Sequence, residues 1–169
     1  MTVYPNLNLL DGTKDFSGEW KNWGGWNDDG TYKGLTVKKK TEQWNGINKI
    51  FTAPENGVYT FSAYVKSSGD NANITMELEK NGTFLGNKKL GNNFDWLRDS
   101  FTVTLNTGDT VSARFDITGS GSGVALWTVG HKWEPGSTAT PYMPSFSEAT
   151  VEDYPSYIGT YTDNNSNEQ

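Results

Sequence analysis

The amino-acid sequence predicts an all-β protein, a β-sandwich of the jelly-roll type. Apolar and polar residues alternate along most of the chain, and turn residues interrupt this alternation at short intervals. No segment has the periodicity of an amphipathic helix. Many short strands joined by glycine, asparagine and aspartate turns are typical of sandwiches and jelly rolls.

Seven segments carry the strand pattern, and a further short strand is expected near NLNLLDG at the N-terminal end. The seven are residues 33–42, 47–54, 57–69, 73–82, 98–109, 110–121 and 123–136. The sequence Asn81-Gly82 is a strong hairpin signal at the end of one of them. In the strands with clear alternation, the side chains predicted to face the core are Tyr59, Phe61, Ala63, Val65, Ile74, Met76, Leu78, Phe101, Val103, Leu105, Val111, Ala113, Phe115 and Ile117.

The strand pattern fades from about Pro144, and this change divides the chain. Residues 1–143 are expected to form a single sandwich domain. Residues 144–169 end in asparagine, serine and acidic residues, and are expected to be an extended linker or the start of a next module. We therefore expect the chain to be one module of a longer protein.

The charge balance excludes several classes of partner. The chain has 169 residues and a formal net charge of −6 at pH 7, which argues against a nucleic-acid partner. The one basic run, KKK at 38–40, is expected to be a solvated strand face.

No apolar run approaches the ~20 residues of a membrane span, so no membrane insertion is expected. No signal peptide is visible, so a protein that acts outside the cell would have to reach that location as part of a larger assembly.

Residues for the common catalytic and metal sites are scarce. The chain has no cysteine and a single histidine, His131, which lies within a predicted strand and is expected to be structural or exposed. No nucleophile elbow, zinc-protease motif or phosphate-binding glycine loop is present. Asp28 and Asp29 could suggest a calcium loop, but their spacing favours a polar turn. No enzyme activity, cofactor or metal is expected, although a two-carboxylate glycosidase stays open.

The stretch GEWKNWGGWNDDG at 18–30 places three tryptophans, Trp20, Trp23 and Trp26, at intervals of three residues. Its glycines and asparagines disfavour a helix, so the three rings need not share one face. Trp20, Trp96, Trp127 and Trp133 are expected to be structural. The candidates for exposed rings lie among asparagine, glycine, glutamine and aspartate, and they are Trp23, Trp26 and Trp44.

Exposed indoles among amides and charges suit a sugar ligand. A pyranose stacks its C–H face on the indole, and polar side chains bind its hydroxyl rim. An aromatic side chain offers roughly 150–250 Å², which corresponds to at most about 4–6 kcal/mol at about 25 cal/mol per Å². Partial coverage and hydroxyl desolvation reduce this gain, so we expect a single-site Kd on the order of 10 μM to 1 mM. Several copies on one particle would raise the affinity by avidity.

Four motifs in order, NLLDGTKDFSGEW, YTFSAYVKSS, WLRDSFTV and VGHKWEPGSTATPYMPS, resemble the jelly-roll carbohydrate-binding modules in tail proteins of phages that infect Gram-positive bacteria. The following EDYPSYIGTYTDNN is similar to the segment that leads from such a module into the next one. The resemblance covers about residues 6–165. It implies a module of a distal tail, tail-associated or receptor-binding protein, located in the virion and acting at the host cell surface.

In the wider group, aromatic residues of the N-terminal loops and polar residues of one sheet line a sugar-binding groove. Combined with the exposed-ring candidates, the resemblance implies binding residues at Trp20, Trp23, Trp26, Tyr32, Trp44, Tyr64, Glu77 and Arg114. Many relatives hold a structural calcium through an aspartate of the last strand. The matching stretch here, ALWTVGHKWE, lacks that aspartate, so calcium is not expected.

The expected function is non-catalytic binding of a cell-surface polysaccharide of a Gram-positive host, which assists phage adsorption. The expected partners are that polysaccharide and other tail proteins. A second class stays open, in which the module only mediates protein–protein contacts in the tail and its tryptophans are buried. A glycan hydrolase is a third class, and it would require two essential carboxylates.

Overall fold

Nine antiparallel β-strands form the regular structure in a computed structural model that describes residues 5–119 and 122–154. The strands are β1 (Asn27–Tyr32), β2 (Leu35–Lys40), β3 (Phe51–Thr52), β4 (Gly57–Ser68), β5 (Asn73–Lys80), β6 (Thr83–Gly91), β7 (Phe94–Leu105), β8 (Thr110–Thr118) and β9 (Ala125–Pro135). A 3₁₀ turn at Val151–Asp153 is the one helical element in these ranges. No helix of the described residues is long and apolar enough to cross a membrane.

The strands form two sheets that enclose the core between them. One sheet has the order β1-β2-β9-β4-β7, and the other has the order β3-β8-β5-β6. Neighbouring strands in each sheet are mostly distant in sequence, so the pairing rests on crossovers between the sheets. The predicted all-β sandwich of the jelly-roll type is confirmed.

Most of the side chains predicted to face the core are buried between the sheets. Those of β4, β5 and β8 are at most 2% exposed. Phe101 and Val103 are only half-buried, although they pack against the same core. Their strand, β7, is the outermost strand of its sheet, where the facing sheet covers less of the surface. The alternation therefore predicted the direction of these side chains correctly, while the sheet edge limits their burial.

Four local features differ from the predictions. The expected polar turn at Asp28 and Asp29 lies within β1, and β6 was not predicted at all. Both are edge strands with exposed and largely polar residues, so they lack the alternation that identifies a half-buried strand. The expected N-terminal strand is only an isolated bridge between Asn8 and Ser145, and the segment at 47–54 contains only the two-residue strand β3.

A buried polar network attaches Asn6 and the segment after β9 to the five-stranded sheet. The Lys132 ammonium donates to Thr140 Oγ1 at 2.9 Å and to the Pro141 carbonyl at 2.8 Å. Glu134 accepts hydrogen bonds from the Thr140 backbone and from the Asn6 amide, both at 3.1 Å. Burial lowers the pKa of Lys132 to about 8. These bonds hold the segment after β9 against the sheet, because unpaired polar groups at this depth would be costly.

Part of the segment at 144–169 also contacts the sandwich. The Pro144 carbonyl accepts a hydrogen bond from Asn8 N at 3.1 Å, and Ser145 is buried. Asp153 forms an ion pair with Lys14 at 3.1 Å. Residues 155–169 lie outside the described residues.

His131 is buried in an aromatic cage. Its ring meets four others edge-on at centroid distances of 5.3–6.3 Å, and these belong to Phe16, Trp20, Phe61 and Phe115. Its Nε2 is 2.8 Å from Thr128 Oγ1. Burial, together with the positive charge of Arg98, lowers the pKa of His131 to about 3. The neutral ring therefore serves as a core residue, consistent with the structural role expected for it.

We predict that His131 makes the fold sensitive to acid. The unfolded chain binds the His131 proton near pH 6.5, whereas the folded chain binds it only near pH 3. Stability from this group is therefore lost as the pH falls from about 6.5 to about 3, by about 1.4 kcal/mol per pH unit. Urea unfolding at several pH values should show a shallower dependence for His131→Phe than for the wild type. Equal slopes would contradict the low pKa.

Candidate functional site

A cavity of about 300 Å³ opens on the outer face of the four-stranded sheet. Its floor comes from β5 and β8, and its walls come from the two loops on either side of β1 and β2. Four of the predicted binding residues meet here, and five further residues join them. The lining residues are Lys21, Trp23, Trp44, Asn45, Asn48, Glu77, Glu79, Arg114 and Asp116.

An arginine surrounded by carboxylates forms the floor. Arg114 on β8 lies directly across from Glu77 on β5 in the strand register. Its guanidinium contacts Glu77 at 2.6 Å, Glu79 at 2.9 Å and Asp116 at 3.2 Å. All four side chains point outward because the alternate positions of both strands face the core. The floor is therefore a rigid set of hydrogen-bonding groups.

The floor carries more negative than positive charge. Burial raises the pKa of Glu77, the Asp116 carboxylate raises it further, and Arg114 opposes the shift. Burial acts to lower the pKa of Arg114, but its bonds to Glu79 and the charge of Asp116 raise it overall. Arg114 therefore stays charged and holds the carboxylate oxygens at fixed positions for a ligand.

One wall is a strained loop that presents Trp44. Trp44 and Asn45 both have left-handed backbones, with φ of +61° and +57°, a conformation that is uncommon for bulky residues. The backbone N–H of Trp44 donates a hydrogen bond to the Ile117 carbonyl of β8 at 2.9 Å. The Trp44 side chain remains 48% exposed beside the cavity. Strained backbone of this kind is often found at binding sites.

Gly46 allows this loop to lie directly on β8. A Cβ atom at this position would meet the Phe115 carbonyl oxygen at 2.4 Å and Arg114 Cβ at 2.8 Å. The Gly46 N–H instead donates to Asp116 Oδ1 at 2.5 Å. The same carboxylate thus joins the wall to the arginine of the floor.

The second wall is the loop that carries Trp23, whose side chain is 63% exposed. This loop is joined to the first by two backbone hydrogen bonds between Lys21 and Asn48, at 2.7 and 3.1 Å. Asn48 is itself buried and donates to the Gly46 carbonyl at 3.2 Å. The two exposed tryptophans therefore project from loops that support each other.

Trp26 and Lys40 lie beneath the loops, and both contradict expectations from the sequence. Trp26 was expected to be exposed, but it is 5% exposed because its ring packs in the core and its Nε1 donates to the Asn45 carbonyl at 2.8 Å. Lys40 was expected on a solvated face, but its ammonium is buried and binds the carbonyls of Gly24 and Asn45. Burial lowers the pKa of Lys40. Both side chains tie the Trp23 loop to the Trp44 loop.

The other predicted residues lie elsewhere. Trp20 is half-buried against Phe16 and His131, and lines a neighbouring hollow that shares Lys21 with the cavity. Tyr32 and Tyr64 lie on the five-stranded sheet, with ring centroids 5.3 Å apart. The structure therefore divides the predicted set between two sheets.

Five residues of the cavity were not predicted. Glu79 and Asp116 lie two positions after Glu77 and Arg114 on their strands. The alternation therefore places them on the same outward face, and this could have identified both as site residues. Lys21, Asn45 and Asn48 lie in loops whose local sequence shows no pattern that distinguishes them. Within 5–119 and 122–154, no group of three or more acidic or histidine residues is arranged to hold a metal ion.

Several solved structures are similar to this chain. The xylan-binding CBM22-1 domain of Paenibacillus barcinonensis Xyn10C has a TM-score of 0.56 at 17% identity, over 82% of this chain and 100% of its own. A family 35 carbohydrate binding module from Clostridium thermocellum has a TM-score of 0.51 at 18% identity, over 67% of this chain and 90% of its own. At these identities the likeness shows the fold, which is that of carbohydrate-binding modules.

The tripod from the baseplate of bacteriophage Tuc2009 has a TM-score of 0.57 at 26% identity. The match covers 92% of this chain and 64% of the tripod chain, so this chain spans less than two thirds of its length. No protein-family model and no curated protein sequence matches the chain.

We predict that Gly46→Ala will open the cavity. The added Cβ would clash with backbone of β8, so the Trp44 loop must lift and lose its bond to Asp116. We expect the free energy of unfolding to fall by about 1–3 kcal/mol in urea denaturation. Gly86→Ala is the control, because Gly86 has open space around it, and its effect should stay within about 0.5 kcal/mol. Similar losses in both variants would contradict this role.

Proposed function

We propose that this chain is a non-catalytic module that binds a polysaccharide at the cavity of Trp23, Trp44 and Arg114. The observation that carries the proposal is the combination of two exposed indoles with a floor of fixed hydrogen-bonding groups. Ligand sites commonly combine apolar surface with a few placed polar groups. A sugar ring presents the same combination, with a C–H face and a rim of hydroxyls.

The cavity provides both donors and acceptors for hydroxyl groups. Arg114 and the Asn45 and Asn48 amides can donate, while the outer oxygens of Glu77 and Glu79 can accept. Because Arg114, Glu77 and Glu79 are held by one another on the sheet, these three side chains lose little entropy when they bind a ligand. The cavity is small enough for one or two sugar units, which fits the weak single-site affinity expected from the sequence.

The arrangement favours binding over hydrolysis. A glycosidase needs two carboxyl groups on opposite sides of the scissile bond. The three carboxylates here lie together on the floor and share one guanidinium. This geometry supports the recognition of hydroxyl groups, and the non-catalytic carbohydrate-binding modules among the structural neighbours support the same conclusion.

We further propose that the module acts in the virion, as part of a phage tail or baseplate protein. The likeness to a bacteriophage baseplate tripod, at 26% identity over 92% of this chain, supports this placement. In this proposal the ligand is a cell-surface polysaccharide of a Gram-positive host, and binding assists adsorption. Residues 1–143 would form the binding domain and residues 144–169 a linker toward other tail proteins.

We predict that Trp23→Ala and Trp44→Ala will each weaken binding to wall polysaccharide purified from Gram-positive cells. Each substitution removes an exposed indole and leaves the buried core unchanged, so the variants should fold. We expect Kd from isothermal titration calorimetry to rise by roughly tenfold, which corresponds to about 1.4 kcal/mol. Labelling of intact cells by the fluorescently tagged chain should fall in parallel.

Phe84→Ala is the matched control, because Phe84 is also an exposed aromatic residue but lies on the edge strand β6 outside the cavity. Its affinity should equal that of the wild type. Equal affinities for all four proteins would place the sugar elsewhere. Absence of binding by the wild type to every wall polysaccharide and strain tested would favour a module that only contacts other tail proteins.

A further inference from the structure

We propose a second binding site, for an anionic sugar, on the outer face of the five-stranded sheet. Its residues are Lys39, Trp127 and Lys66, which we call the lysine–tryptophan patch. They lie on the adjacent strands β2, β9 and β4, and Trp127 is directly opposite both lysines in the strand register. The cavity described above lies on the other sheet, so the two sites are independent.

The patch has a cation on each side of one indole. The Nζ atoms of Lys39 and Lys66 lie 5.1 Å and 5.0 Å from the centroid of the Trp127 ring. All three side chains are partly exposed. The register explains the arrangement, because strands in a sheet lie about 4.8 Å apart and directly opposed residues point to the same side.

Neither lysine of the patch has an anionic partner. Over the part of the chain that the structure describes, Lys39 and Lys66 form no ion pair and their ammonium groups make no hydrogen bond to protein. By contrast Lys38, which immediately precedes Lys39 on β2, forms an ion pair with Asp28 at 2.7 Å. Two unpaired cations beside one ring repel each other, in a chain whose net charge is −6. A bound anion would relieve that repulsion.

The indole is held in place for a ligand. Trp127 Nε1 donates to Asp29 Oδ2 at 2.6 Å, which fixes the ring orientation. Asp29 forms no ion pair with Lys39 or Lys66, and the one ion pair of β1 with β2 joins Asp28 to Lys38. The neighbouring hollow of about 280 Å³ is lined by Asp28 and Asp29 as well as Lys39, so the anionic group would bind over the partly exposed ring between the two lysines and not in that hollow.

The two lysines and the indole together favour an anionic sugar as the ligand. The ammonium groups would bind a carboxylate or a phosphate, and the indole would contact the C–H face of the sugar ring. A neutral sugar would leave the two cations unpaired. The cavity on the other sheet has three carboxylates around its arginine, so it would repel the same ligand. The two sheets therefore differ in the charge of the glycan that they can accept.

The test compares Lys39→Gln/Lys66→Gln with a matched control, Lys80→Gln/Lys89→Gln. Both double variants remove two positive charges, but the control removes them from strands of the opposite sheet. Binding of the full chain would be measured by calorimetry with three probes: oligogalacturonate, a poly(glycerol phosphate) and neutral dextran. We expect the patch variant to lose roughly tenfold in affinity for an anionic probe and the control to lose little.

The outcomes distinguish the possible ligands. Binding of oligogalacturonate alone would identify a uronate, and binding of the phosphate polymer alone would identify a phosphate-bearing glycan. Trp23→Ala and Trp44→Ala should leave either interaction unchanged, whereas they should weaken binding at the cavity. Equal losses in the two lysine variants, equal binding of dextran, or no binding of either anionic probe would overturn the proposal.

Discussion

Asp116 connects the two parts of the cavity, and the rest of the site depends on that connection. One of its carboxylate oxygens accepts the Gly46 N–H of the wall, while the other contacts Arg114 of the floor. The carboxylate is 2% exposed, so these bonds replace the water that it loses on folding. A ligand that binds the indole and the guanidinium therefore meets a prearranged surface.

The loops at the cavity are held in place by buried side chains that lie beneath them, and not by a structure-forming pattern in their own sequences. Trp26 and Lys40 both bind the Asn45 carbonyl, so one backbone oxygen serves two buried donors. This arrangement lets glycine-rich loops hold large aromatic side chains in the solvent without a helix or a disulfide. Two of the three clustered tryptophans differ in burial accordingly, since Trp26 is buried beneath the loops and Trp23 is exposed.

The two sheets differ in the charge that they present outward. The four-stranded sheet places carboxylates around a single arginine, whereas the five-stranded sheet places two unpaired lysines beside an indole. On the outer face of each sheet, an aromatic ring lies next to charged side chains whose positions are set by the strand register. Under the two proposals above, the faces would contact two different parts of one complex polysaccharide, and this bivalent contact would raise the affinity of weak single sites.

Alternation along β4, β5 and β8 was sufficient to predict the sandwich and most of its core, because which side of a strand faces inward is a local property of the chain. The composition around Trp23 and Trp44 likewise indicated exposed rings. Strand order is not local: it places Tyr32 and Tyr64 on the sheet opposite to Glu77 and Arg114. The burial of Trp26 depends in the same way on contacts between segments far apart in sequence, and no local pattern contains them.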